Sequence, residues 1–159
     1  MNQPIKVKES DKSHRWEKRQ QFNLITKILH STRFRRLEKL AEEIEPRYSK
    51  NLRVLDIGCG PARSYAVLKG VRNDLEYVGI EIREDFAKIA SERYQDDKNC
   101  TIICDSIENQ FSVIDKFDLI IGLETFEHIP EGLVVRVVEN IAASDFNFLY
   151  VTVPNEVGP

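Results

Sequence analysis

Four apolar runs of this 159-residue chain each lead to an acid: Asp56 inside LRVLDI, Glu81 after EYVGI, Asp105 after CTIIC and Glu124 after FDLIIGL. If the runs are strands of one sheet, the carboxylates collect along one edge, where they repel unless solvated or paired. A ligand offering several donors would resolve that repulsion. Asp56 is followed by Gly58, Cys59 and Gly60 in VLDIGCGPARS. The two glycines accept positive φ and let the backbone come close to a ligand, where a bare strand-to-helix turn would be the plainer reading. The dinucleotide fingerprint G-x-G-x-x-G fails because Arg63 stands third, and G-x4-G-K-[ST] is absent. An acid two residues before the first glycine suits a cation and opposes a phosphate, so Asp56 is expected to face a positive amine. His128, in the EHIP stretch, is the candidate general base, since histidine is the residue type that ordinarily changes charge near neutral pH; its alternative role is to cap or pack the next loop. Glu124 and Glu127 are further candidates for proton removal.

These side chains need a scaffold. LRVLDI, EYVGI, CTIIC, FDLIIGL and FNFLYVTV alternate with the helical segments ARSYAVLKG, EDFAKIASERY and EGLVVRVVENIAA. Strands separated by helices imply right-handed crossovers and a parallel sheet covered on both faces. The expected architecture is an α/β, Rossmann-like doubly wound sheet of strand order 3-2-1-4-5, and ligands in such sheets bind beyond the carboxyl ends of the strands. Ahead of it, residues 12–30 and 33–45 read as two helices. The second carries Phe34, Leu37, Leu40, Ala41 and Ile44 on one face, with Ser31 or Thr32 as its cap and Pro46 as its end. The division expected is a helical segment at 1–50, packing on the core or covering the site, and a core domain at 51–159. Trp16 and Phe22 are lid candidates that an amphipathic helix would more simply bury, while His14 and His30 have no motif around them.

Composition excludes several classes. One compact domain is what 159 residues with 42% hydrophobic content support. No run reaches the roughly 20 apolar residues of a membrane span, and the N-terminus lacks the apolar middle of a signal peptide, so a cytoplasmic protein is expected. Cys59, Cys100 and Cys104 form no even disulfide framework, and the C-x3-C spacing of the last two does not chelate zinc. They read as reduced packing residues, and no metal is expected. Residues 1–50 hold 13 Lys/Arg against 7 Asp/Glu, and residues 51–159 hold 10 against 19. The basic residues alternate with acids on helix faces, which reads as solvation rather than nucleic-acid binding.

Taken in order, these motifs resemble the class I S-adenosylmethionine-dependent methyltransferases. LDIGCGPA is similar to their D/E-x-G-x-G-x-G loop, with Ala62 where the third glycine often stands. The resemblance implies S-adenosyl-L-methionine as cofactor, held by Asp56, Gly58, Cys59, Gly60, Glu81, Ile82, Asp105, Ser106, Ile107, Leu123 and Glu124. It implies that Glu81, in VGIEI, accepts both ribose hydroxyls. Asp105, in CDSIE, would receive the adenine amino group, with the Ser106 and Ile107 backbone near the ring edge. Leu123 and Glu124 would lie beside the methionine portion. The resemblance covers about residues 50–155. More weakly, VTVPNEVGP resembles the fifth-strand end of bacterial methyltransferases associated with small molecules or surface sugars.

The family's sheet normally continues past the fifth strand with a helix and an antiparallel hairpin, and this chain stops at Pro159. The final hairpin is therefore expected to be missing, through truncation or through a true open edge. An open apolar edge leaves room for a homodimer. The function expected is methyl transfer to a small-molecule or saccharide-type acceptor. The alternatives are an RNA or protein methyltransferase using the basic N-terminal segment, and a non-catalytic S-adenosylmethionine-binding or interaction module.

Overall fold

The computed structural model describes residues 24–44, 51–114 and 117–154, with side chains from residue 32 onward. Helix α1 (Leu24–Ile44) is followed by β1 (Leu52–Ile57), α2 (Arg63–Val71), β2 (Leu75–Glu81), α3 (Glu84–Arg93), β3 (Cys100–Cys104), β4 (Leu119–Leu123), α4 (Glu131–Ala143) and β5 (Phe148–Thr152). All five strands pair in parallel in the order β3-β2-β1-β4-β5. The Rossmann-like order expected from the alternating runs is the one observed.

The strands are apolar on both faces because both are covered. Towards one face, Leu37, Ala41 and Ile44 of α1 and Tyr65 and Leu68 of α2 pack on Val54, Tyr77, Leu119 and Ile121. Towards the other, Val137 and Ile141 of α4 join Ile107, Ile114 and Phe117 over Leu55, Ile57, Ile80 and Ile120. Alternate residues of β1 thus feed opposite cores, as the two-residue period of a strand requires. β5 is an edge strand. Its Phe148 and Tyr150 pack towards the α1 side, while Leu149, Val151 and the following Val153 stay exposed.

Two local expectations need correction. Residues 24–44 form one continuous helix, so Ser31 and Thr32 sit inside it rather than capping a second one. Serine and threonine only weakly disfavour a helix interior, and without a Gly or Pro nothing stops the turn from propagating. The cysteines also divide. Cys59 is buried in the core and Cys100 packs against it, but Cys104 is exposed at the end of β3, which is an edge strand too. Trp16, Phe22, His14, Pro46 and the Asn155–Glu156 end of VTVPNE lie outside the described residues, as does the side chain of His30.

Candidate active site

β1 ends in a loop whose backbone is unusual at three alternate positions. Gly58 has φ 71°, Gly60 φ 53° and Ala62 φ 53°. Ala62, the position where the related loop often has glycine, thus adopts the left-handed conformation that glycine takes most cheaply. The two glycines differ in what surrounds them. A Cβ on Gly58 would lie 2.3 Å from the Thr125 side chain, whereas one on Gly60 would meet nothing within 4 Å. Gly58 is therefore fixed by its neighbour on the β4 side, and Gly60 opens onto free space.

That space is a cavity of about 540 Å³ beyond the carboxyl ends of the strands, inside the usual ligand-pocket range of about 300–1,000 Å³. Asp56, Gly58, Cys59, Gly60, Glu81, Ile82, Leu123, Glu124 and His128 all line it. With Glu127, which also lines it, ten of the thirteen cofactor-binding and proton-accepting candidates are thus brought together. Asp105, Ser106 and Ile107 are not among the lining residues. The Asp105 carboxylate is turned into its own loop, accepting from the Ser106 N–H (2.7 Å), Asn109 Nδ2 (2.8 Å) and Gln110 Nε2 (2.8 Å). The bonds from Asn109, then Gln110 and Ser106, hold its carboxyl below the usual range. The Ile107 side chain is buried in the α4-side core.

Glu81 is 6% exposed, and both its oxygens are in use. Oε2 accepts the Gly60 N–H at 2.8 Å and Oε1 accepts the Arg83 N–H at 2.8 Å. The carboxylate ties the glycine loop to the end of β2, which sequence reasoning did not foresee. Each oxygen keeps a second lone pair, so two further donors can be accepted without losing the first two.

Asp56 is buried, 2% exposed. Its Oδ2 accepts from Tyr77 Oη at 2.6 Å and from Ser64 Oγ. Burial pushes the carboxyl up to about 6, with Glu81 adding to the rise; the Ser64 and Tyr77 hydrogen bonds and the Arg33 charge oppose it. No cation is bonded to Asp56 among the described residues, so a buried acid faces the cavity with only hydroxyl partners.

Glu124 lines the cavity in a left-handed backbone conformation, φ 52°. Its carboxylate forms an ion pair with Arg33 of α1. Arg33 and its neighbour Phe34 also line the cavity, and Tyr150 Oη of β5 donates to the Arg33 carbonyl at 3.2 Å. Sequence reasoning gave Glu124 a role but missed its partner. The available signal was the position of Arg33 one residue before the apolar stripe that starts at Phe34.

His128 closes a short 3-10 turn, Phe126–His128. Its side chain is 79% exposed, with Nε2 3.9 Å from Glu127 Oε1. The imidazole is thus an exposed group on the cavity rim. At the opposite lip, Arg83 bonds Asp85 (2.7 Å) and stacks on the Phe86 ring, 3.9 Å from its centroid. Beside it Ile82 is exposed, presenting an apolar surface on the same lip.

The arrangement offers apolar lips, a glycine-bared floor and buried carboxylates for donor groups. Comparison with known proteins agrees. The chain is similar in fold to the plantazolicin methyltransferase BpumL in complex with SAH, with TM-score 0.65 at 18% identity over 91% of this chain and 53% of that one. It is also similar to WbdD, crystallised with the kinase inhibitor LY294002, with TM-score 0.64 at 20% identity over 79% and 31%. PKMT2 from Rickettsia typhi in complex with AdoHcy gives TM-score 0.57 at 18% identity over 64% and 20%. The chain spans about half the length of the plantazolicin enzyme. None of the curated proteins compared matches it. The methyltransferase-domain profile matches residues 54–144, from β1 through α4 and more than half of the chain. The chain therefore belongs to the methyltransferase-domain family, and its Rossmann-like fold is that of the class I S-adenosylmethionine-dependent enzymes.

Proposed function

We propose that this protein transfers a methyl group from S-adenosyl-L-methionine to a small-molecule or saccharide-type acceptor. The observation that carries the reading is the cavity over Gly60, with Glu81 on one side and Asp56 beneath. The residues present fit the cofactor. Gly60 leaves the space a Cβ would fill, Glu81 keeps two lone pairs for vicinal hydroxyls, and Asp56 waits for a cationic partner. The structural relatives BpumL and PKMT2 were crystallised with the product form, SAH or AdoHcy.

In this reading Glu81 holds the ribose, and Ile82 with the Arg83-stacked Phe86 offers apolar surface for the base. Asp105, Ser106 and Ile107 keep their proposed place beside the adenine, across the β2–β3 pair, where the Asp105 N–H bonds the Glu81 carbonyl at 3.1 Å. Gly58, Cys59 and Gly60 give the backbone surface. Asp56 faces the amino group, and Leu123 lies with the methionine portion. Glu124 keeps Arg33 at the cavity wall. When bound, the sulfonium supplies an already activated methyl group. The protein is left to align the nucleophile and to accept its proton. His128 on the rim accepts that proton.

The enzyme is proposed to act in the cytoplasm on a free acceptor and not on nucleic acid. No helix among the described residues is long and apolar enough to cross a membrane. A homodimer through β5 belongs to the same proposal, supported by the exposed row Leu149, Val151 and Val153. The test is transfer of labelled methyl from S-adenosylmethionine into metabolite, sugar and tRNA pools. Label in a small-molecule or sugar fraction supports the assignment. Label confined to tRNA moves the acceptor to a macromolecule.

A further inference from the structure

Tyr77 lies within the EYVGI run with no role given to it by the sequence, yet its hydroxyl is one corner of a buried triangle of oxygens. It lies 2.6 Å from Asp56 Oδ2 and 2.8 Å from Ser64 Oγ, and Ser64 Oγ also donates to Asp56 Oδ2. The three residues come from β2, α2 and β1 and are 1–2% exposed. Register explains the meeting. Tyr77 pairs with Val54 and Gly79 with Asp56, so Tyr77 and Asp56 share a sheet face, and Gly79 puts no side chain beside the carboxylate.

Three close oxygen–oxygen contacts call for three hydrogens. The two hydroxyls supply two, and an ionised Asp56 supplies none, which leaves one contact without a proton. A protonated carboxyl completes the ring. The charged and titratable groups around it are Glu81 at the end of β2, Cys59 in the loop, and Arg33 on α1, itself tied to Glu124 of β4. Glu81 favours the protonated form and Arg33 opposes it, while burial, the largest influence, favours protonation.

We propose that Ser64 and Tyr77 hold Asp56 as a proton-sharing trio that gives up one proton to solvent when the ammonium end of an S-adenosyl ligand enters the cavity, making Tyr77 a positioning residue for cofactor binding. The proposal rests on the S-adenosyl reading of this cavity. The Asp56 O–H bond breaks, its proton goes to the buffer, and the ligand's ammonium keeps its own three hydrogens and replaces the lost positive charge. Binding and deprotonation are then linked, and affinity must depend on pH.

The experiment is calorimetric titration of the full chain with S-adenosylhomocysteine from pH 5 to 8, in buffers of different protonation enthalpy. Up to one proton should be released per ligand near pH 5 and none at pH 8, with affinity falling by up to tenfold per pH unit below about 6. 5′-Methylthioadenosine, which lacks the amine, should bind without proton release. Tyr77→Phe removes one corner of the ring, so the bend in the affinity profile should move away from its wild-type pH. Ser64→Ala removes another corner and should also move it, which keeps the test if Tyr77→Phe does not fold. An equal loss at every pH with the bend unmoved would make Tyr77 a packing residue and overturn the proposal. Wild-type binding that is flat in pH and proton-neutral would also overturn it, leaving the cofactor site standing. Folded wild type that ignores S-adenosylhomocysteine at every pH would overturn the cofactor reading beneath it.

Discussion

Replacing Glu81 by Gln separates the fold's use of this carboxylate from the ligand's. In the wild type both oxygens accept backbone N–H groups, from Gly60 and from Arg83, each at 2.8 Å. A glutamine keeps one oxygen, so one of the two N–H groups must face an amide NH2 instead of an acceptor. The site is 6% exposed and water cannot readily repair the loss. A hydrogen bond to a charged group contributes about 1.5–3 kcal/mol, and a buried donor left unsatisfied costs about 1–3 kcal/mol. Because these overlap, we expect Glu81→Gln to lose about 2–4 kcal/mol of stability, or a Tm fall of roughly 5–15 °C for a domain of this size. Affinity for S-adenosylhomocysteine should fall by about 10- to 100-fold, since a ribose hydroxyl also loses an acceptor. Urea unfolding and calorimetric titration read the two effects on the same protein. A stability change below about 0.5 kcal/mol would refute the tie between Glu81 and the glycine loop. Unchanged affinity in a folded variant would refute its role as ribose acceptor.

Gly60→Ala should fold with a modest loss, about 1–2 kcal/mol for the left-handed backbone, yet lose most ligand affinity because its methyl enters the open space of the cavity; retained affinity would place the ligand elsewhere. Gly58→Ala should unfold more readily than Gly60→Ala by denaturant titration, because its Cβ would lie 2.3 Å from Thr125 at φ 71°; equal midpoints would contradict this. Asp56 has a folded pKa of about 6 against an ordinary value of 3.8, so its ionised form is penalised in the fold. The penalty is absent below about pH 4, grows through pH 6 and is then constant at roughly 3 kcal/mol. Asp56→Asn keeps an acceptor for both hydroxyls, so its stability relative to wild type should rise by about that much between pH 4 and 7, and a parallel pair of pH–stability curves would refute the burial argument. His128→Ala should leave S-adenosylhomocysteine affinity unchanged and lower turnover roughly 100-fold; unchanged turnover would remove His128 from the chemistry.

The sheet was legible because each strand is a short apolar run bounded by a helix, and CTIIC and LRVLDI reappear residue for residue as β3 and β1. The glycine loop was legible because positive φ has a sequence signature, although Ala62 shows that the conformation persists where the glycine does not. What the sequence hid are pairings across distance. Tyr77 reads as an ordinary strand aromatic until the β1–β2 register sets it beside Asp56. Arg33 reads as one of many basic helix residues until the helix runs unbroken past Ser31 and brings it to Glu124. The boundary placed at Ser31 failed because polar residues inside a helix look the same in sequence whether they cap a turn or merely occupy one. Asp105 was singled out by position, but the inward bonds of its carboxylate depend on Asn109 and Gln110, whose part in the loop no motif marks.

The most direct test of the cofactor site is equilibrium titration of wild-type protein with S-adenosylhomocysteine, ATP and NAD in parallel at pH 7.5. One equivalent of S-adenosylhomocysteine should bind at micromolar or tighter affinity, with neither nucleotide competing, because Asp56 beneath the glycine loop opposes a phosphate and favours an amine. Binding of ATP or NAD with indifference to S-adenosylhomocysteine would contradict the assignment of the cavity.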